Sequence, residues 1–282
     1  MYATWPYLWP NPIGHLIESL RVMSQYPWPG QVLFNGVEYA STDIPRTYLP
    51  VLLSIQLTEP VWILFFIGLL VAVVGFVKKR NYVELLTLTL VWFILPLIGF
   101  IVTRTPLYDN FRQTFFILPP VFLIAGVVFE KLPSPFGRGS GGEGVWRTLL
   151  IALVLLPGLI GIIRLHPYEY IYYNTFIGGE AGAMRRFELD YWGTSYREAA
   201  NWLNERAPKD TNVWVDGPAH LLDMYLREDL NMYSSYEVER AEHYDYVVST
   251  TCYDLDLKSY PNAEIVYRIE RGGALLAVIK EP

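Results

Sequence analysis

The hydrophobic positions fall into two regimes. Between residues 59 and 164 lie four nearly continuous apolar runs, roughly Pro60–Val77, Tyr82–Val102, Gln113–Phe129 and Val145–Ile163. A membrane-spanning helix needs about 20 mostly apolar residues, with about 17 as the lower limit, so the pattern predicts four spans. The third run is short and holds Pro119-Pro120, and the fourth holds Pro157-Gly158. Proline is tolerated in a span where neighbouring helices satisfy the freed carbonyls, so both are read as kinked members of a bundle.

Outside that block the periodicity changes. Ile13, Leu16, Ile17, Leu20 and Met23 recur at helical spacing, with Glu18, Arg21 and Gln25 opposite, which predicts an amphipathic helix between Pro12 and Tyr26. Trp5, Trp9 and Trp28 lie around it, and an indole suits the headgroup zone because its ring is buried while its N–H stays wet. Such a helix either lies on the outer leaflet or packs on protein. Val32–Phe34 and Val37–Tyr39 flank Asn35-Gly36, a hairpin signal.

Beyond residue 193 the runs are short. A helix is predicted over Ser195–Arg206, with Ala199, Ala200, Trp202 and Leu203 inward, then a strand over Asn212–Val215 and a helix over Pro218–Leu226. Short strands follow at Leu230–Tyr233, Tyr244–Ser249, Glu264–Ile269 and Ala274–Ile279, the last two joined across Arg271-Gly272-Gly273. The expected fold is a multi-pass α-helical membrane bundle of four spans followed by a small extracytoplasmic α/β domain. The corresponding segments are 1–58, an extracytoplasmic loop with the interfacial helix; 59–164, the spans; 165–192, an aromatic interfacial connector; and 193–282, the α/β domain.

Composition supports the membrane expectation. The chain is 52% hydrophobic and 16% aromatic, too apolar for an ordinary soluble enzyme. Charge orients the spans. Lys78-Lys79-Arg80, Lys131, Arg138 and Arg147 fall in two of the loops, against Arg104 and Arg112 in the third. The richer loops are expected to face the cytoplasm, and an even number of spans then leaves both chain ends outside a bacterial plasma membrane. No export signal precedes the first outer segment, so earlier spans are expected from a longer ancestor or a separately encoded N-terminal half. After Arg164 there are eleven Lys/Arg against twenty Asp/Glu, and an acidic tail argues against nucleic acid as a partner. The single cysteine, Cys252, excludes an internal disulfide and a cysteine-based metal site. No Gly-rich phosphate loop of recognised spacing is present.

Three constellations carry candidate chemistry. Arg104, Tyr108, Asp109, Asn110 and Arg112 crowd one short loop between two runs. Guanidinium forks suit phosphate oxygens, so Arg104 and Arg112, with Arg46, are candidates to hold a lipid phosphate. Asp109 either pairs with one of them or acts on a substrate, and a plain Asp109–Arg112 surface pair is the bland alternative. Glu188 and Asp190 form an acid-x-acid pair of a kind that can bind a divalent metal, but any acidic domain supplies such pairs, and pairing with Arg185, Arg186 or Arg197 is the expected role. His166 is either a general base or one more ring in the run "HPYEYIYYN". That run is expected to form a tyrosine belt at headgroup level, seating the tail domain on the bundle or lining a groove for a sugar.

Several phrases, in order, carry a resemblance: "WPYLWPNP", "PWPGQVLFNG", "DIPRTYLP", "PLYDNFRQTFFILPP", "HPYEYIYYN" and "FELDYWGTSYREAANWL". Together they resemble the C-terminal half of bacterial GT-C-type membrane glycosyltransferases, close to the dolichyl-phosphate-mannose protein mannosyltransferases (glycosyltransferase family 39) and the aminoarabinose transferases. The likeness runs from Trp5 to about Leu203 and contains no diagnostic catalytic motif. It implies a multi-pass enzyme that takes a sugar from a polyprenyl-phosphate donor and passes it, with inversion, to an outer acceptor, without a cofactor. It also implies a catalytic carboxylate in a first outer loop upstream of this chain, so that role passes to neither Asp43 nor Asp109. Arg46, Arg104, Tyr108 and Arg112 are implied near the donor phosphate, with Asp109 beside them. His166, Tyr168, Tyr172 and Asn174 are the acceptor or interface candidates. The competing expectation is a non-enzymatic membrane module that presents an acidic α/β binding domain. A transporter fits less well, because the runs hold almost no charge and Glu84 and Glu130 sit near their ends.

Overall fold

The computed structural model describes residues 4–24, 28, 30–77, 83–130, 143–235 and 241–282. Three of the basic loop residues used to orient the spans, Lys78, Lys79 and Arg80, lie outside the described residues, as do Lys131 and Arg138.

The chain opens with helix α1 (Pro12–Ser24), followed by strands β1 (Gln31–Phe34) and β2 (Val37–Ala40). The strands pair antiparallel around Asn35 and Gly36, both at positive φ, the twist a two-residue hairpin requires. Then come α2 (Tyr48–Gln56), α3 (Glu59–Val77), α4 (Val83–Thr103), α5 (Leu118–Glu130) and α6 (Glu143–Leu165).

Four spans are not what these helices make. Among the described residues two stretches, Leu86–Thr103 of α4 and Thr148–Leu165 of α6, are long and apolar enough to cross a membrane. The count rises to three only if α2 and α3 are taken as one span, and they meet at a bend of 109°. The break falls at Leu57-Thr58, where the chain leaves α2 extended before Glu59-Pro60 starts the next helix. The third expected run fails on length. Pro119 and Pro120 do not kink a span; they occupy the first turn of α5, where a missing N–H costs nothing. All 13 residues of the helix together rise only about 20 Å, against about 30 Å of hydrocarbon.

Helices α3 and α5 pack closely. A Cβ on Gly68 would stand 2.0 Å from the Ile124 carbonyl oxygen, so this approach requires glycine. Leu64, Phe65, Val121 and Ile124 are buried in the seam. Helices α4 and α6 instead leave wide apolar faces open, with Leu88, Leu95, Leu153 and Ile163 each more than 60% exposed.

After α6 the connector carries a 3-10 turn (Glu169–Ile171) and the short helix α7 (Gly179–Ala183), then α8 (Ser195–Arg206). The tail continues through β3 (Asn212–Val215), α9 (His220–Asp223), β4 (Asn231–Ser234), β5 (Tyr246–Thr250), α10 (Leu255–Lys258), β6 (Glu264–Arg271) and β7 (Ala274–Glu281). The sheet order is β4-β3-β5-β7-β6, with β3 parallel to β4 and β5, and β7 antiparallel to β5 and β6. Tyr196, Ala199, Ala200 and Leu203 of α8 are wholly buried against this sheet. Trp202 stays half-buried and stacks on Tyr267.

The hairpin belongs to the tail rather than to the helices before it. Gly36 donates its N–H to the Arg186 carbonyl, and Phe34 bridges to Phe187. One apolar cluster runs from β1 through α2, α3 and α5 into the sheet, so the segments 1–58 and 165–282 share a core.

Candidate functional site

The site is built on the turn that follows α4. Pro106 and the end of the helix free the backbone here, and Arg104, Asp109 and Asn110 all adopt positive φ, a conformation asparagine and aspartate accept more readily than most residues. The turn is tied back to the connector by the Asn110 amide, which donates to the Glu188 carbonyl oxygen (3.4 Å).

Arg112 donates from Nη1 to Asp109 Oδ2 at 2.7 Å. The two differ in setting: Arg112 is half exposed, whereas Asp109 is buried. Burial pushes the Asp109 carboxyl above its ordinary range, against the pull of Arg112 and the Trp192 indole. Tyr108 stacks on Trp28 with ring centres 4.3 Å apart, and the Arg112 guanidinium lies 6.0 Å from the Tyr108 ring. On the other flank Tyr170, Tyr191 and Trp192 form an aromatic wall. Asp109 and Arg112 therefore stand between two aromatic platforms, with Trp192 48% exposed at the edge.

Arg46 and Arg104 converge on a neighbouring cleft with Pro45, Tyr48, Phe100 and Leu107. Neither guanidinium has a hydrogen bond or ion pair among the described residues. The cleft encloses only about 20 Å³, so an anion would rest across its rim. Arg112 does not join them, because Asp109 holds it on the far side of the turn. The three arginines grouped from the sequence thus divide into an unpaired pair and an ion-paired third.

Glu188 and Asp190 are both buried, and neither pairs with Arg185, Arg186 or Arg197. Asp190 serves α8: its carboxylate accepts from the Thr194 N–H (2.9 Å), the Ser195 N–H (3.3 Å), and the Tyr170 and Ser195 hydroxyls. Those amides are orphans of the helix start. Glu188 is buried where β1, the Asp109 turn and the connector meet. Burial and, after it, the nearby Asp109 charge push its carboxyl up to about 8, while amides of Leu33, Asp109 and Asn110 pull the other way. Glu188 is thus largely un-ionised at neutral pH. Its Oε2 and the Tyr48 hydroxyl are buried with no hydrogen-bond partner among the described residues. Arg185 is bound elsewhere, to Asp254 and Asp256. Among the described residues no three His, Cys, Asp or Glu side chains are grouped to hold a metal ion.

The connector rings do not form an outward belt. Tyr168 and Tyr173 are buried, and their hydroxyls donate to Glu198 (3.1 Å) and to the Glu188 carbonyl (2.9 Å). Arg271 covers the Tyr168 face at 4.6 Å. Tyr172 is half-buried beside Gly161. His166 is an exposed ring bonded to Glu169 (2.7 Å), away from the Asp109 turn's partners. Asn174 is structural: its amide donates to the Ser54 and Leu57 carbonyls, both at 2.8 Å, closing the C-terminus of α2.

No family model matches the chain, and neither a curated protein nor a solved structure does.

Sequence reasoning missed Tyr48, Trp28 and Trp192. All three lie inside phrases already singled out; what was not legible is that they face the same turn.

Proposed function

We propose that this chain is the lipid-phosphate-handling portion of a membrane glycosyltransferase that uses a polyprenyl-phosphate sugar. The observation that carries the reading is the convergence of Arg46 and Arg104, 58 positions apart, on one cleft at the end of the membrane-length helix α4, with neither charge paired among the described residues. A monophosphate ester keeps its charge at the interface while its isoprenoid tail stays in lipid. Two guanidinium groups at the end of an apolar helix match that split, and they would stabilise the phosphate as it departs from the sugar. The Asp109–Arg112 pair between aromatic platforms then suits the sugar, whose ring faces stack on indole and phenol while its hydroxyls bond the carboxylate and guanidinium. In this reading α4 and α6 cross a bacterial plasma membrane and the α/β domain stands on its outer side. The ordered family-like phrases supply the reaction class.

The test is binding of a fluorescent polyprenyl phosphate to the chain in nanodiscs. Arg46→Ala and Arg104→Ala are each expected to weaken it about tenfold, the scale of one charge-assisted contact. Equal binding of the uncharged polyprenol, or unchanged affinity in both variants, would remove the basis for the proposal.

A further inference from the structure

A second cavity lies at the C-terminal end of α2. It is an open-sided groove of about 450 Å³ between α3, α5 and α6, within the range of sites that hold small ligands. Its walls are apolar, including Phe122, Phe129, Val154 and Leu155. Glycines keep it open: a Cβ on Gly126 would meet nothing within 4 Å, and one on Gly158 only the Thr58 methyl at 3.9 Å. Gln56, Thr58, Glu169 and Tyr172 supply the polar lining, where α2 ends and the connector leaves α6. α6 itself faces outward, with only 11% of Thr148–Leu165 buried.

The charge at that mouth selects among amphiphiles. Its ionisable lining groups among the described residues are the Glu169 carboxyl and the Tyr172 phenol, and no described Lys or Arg lines the groove. Glu59, in the adjoining first turn of α3, adds a second carboxylate, held by Thr175. His166 bonds Glu169 from the exposed side. A phosphate monoester is repelled here, whereas the Arg46–Arg104 cleft attracts it. We propose that the groove binds one hydrocarbon chain of a bilayer lipid whose head carries a primary ammonium group, the ammonium lying at Glu169. This rests on the membrane placement of α6 proposed above and not on sugar transfer.

The test uses the full chain in phosphatidylcholine vesicles doped with phosphatidylethanolamine or phosphatidic acid, each bearing a photoreactive tail. Crosslinks are expected on α3, α5 and α6 peptides, favouring the ethanolamine lipid by up to about fivefold, the scale of one exposed ion pair. Glu169→Gln, at an exposed position, is expected to keep the crosslinks and lose the preference. Gly126→Leu and Gly158→Leu are expected to abolish them. Arg46→Ala and Arg104→Ala are expected to change nothing, which separates this groove from the phosphate cleft. The proposal is overturned if phosphatidic acid labels equally well, if both glycine variants label like the parent, or if the arginine variants abolish labelling. Failure of the chain to insert into the vesicles would overturn both the membrane placement and the groove, whereas insertion without labelling overturns the groove alone.

Discussion

Replacing Glu188 by glutamine removes the one carboxyl whose burial, unpaired oxygen and carboxylate neighbour all oppose ionisation. Its ordinary value of 4.5 applies in the unfolded chain, and about 8 in the folded one. The folded state therefore holds a proton that the unfolded state releases above pH 4.5. With more protons bound to the native state, stability falls as pH rises through this window and levels off above pH 8. Integrating between pH 5 and pH 8 gives a loss of about 3.5 kcal/mol at 1.36 kcal/mol per unit, an upper limit because water entering the junction relaxes the penalty. Glutamine keeps the shape and cannot ionise. The assay is denaturant unfolding in mixed micelles, followed by tryptophan fluorescence at pH 5, 6, 7 and 8, for parent and Glu188→Gln. The parent is expected to lose stability relative to the variant steadily across the series, which cancels every titration the two share. A difference constant within about 0.5 kcal/mol from pH 5 to 8, the usual error of additivity, would show that the Glu188 carboxyl is not held un-ionised.

Asn174→Ala should cost about 2 kcal/mol, since it strands the buried Leu57 carbonyl and removes the bond to the Ser54 carbonyl that together close α2; thermal unfolding with unchanged polyprenyl-phosphate binding would mark Asn174 as structural rather than acceptor-binding. Lys280→Met should cost about 3 kcal/mol, because the buried ammonium donates to the Asp256, Ser259 and Tyr260 carbonyls and methionine satisfies none; a variant as stable as the parent in denaturant would contradict this. Cys252 should resist alkylation at pH 8 until the chain unfolds, since burial above all, with the neighbouring carboxyl groups, pushes its thiol up to about 12; equal iodoacetamide rates with and without denaturant would refute it. Gly68→Leu should separate α3 from α5, because its side chain would run into the Ile124 carbonyl; unchanged unfolding of that variant would mean the helices are not in contact there.

Local chemistry made much of the architecture legible. Asn35-Gly36 marks its own hairpin because only a turn with two positive φ values joins those strands. The helix over Ser195–Arg206 and the strand at Asn212–Val215 were readable from periodicity, since burial of one face leaves its period in the sequence. The same logic overcounted spans. Hydropathy measures how apolar a run is, not where its helix begins, and Pro119-Pro120 and the break at Leu57-Thr58 set those limits.

The sequence by itself determined which stretches are apolar, which are amphipathic and where the turns fall, because those depend on neighbours a few residues away. Only the tertiary structure decided that Arg46 meets Arg104, that Arg112 is held by Asp109, and that Glu188 lies buried beside that carboxylate. It also turned Tyr168 and Tyr173 of the connector inward, to Glu198 and to the Glu188 carbonyl, rather than out to a headgroup layer. Each of these is a contact between segments tens of residues apart. Charge and burial at such a contact come from packing, and a pattern read along one strand of chain carries no record of what packs across from it.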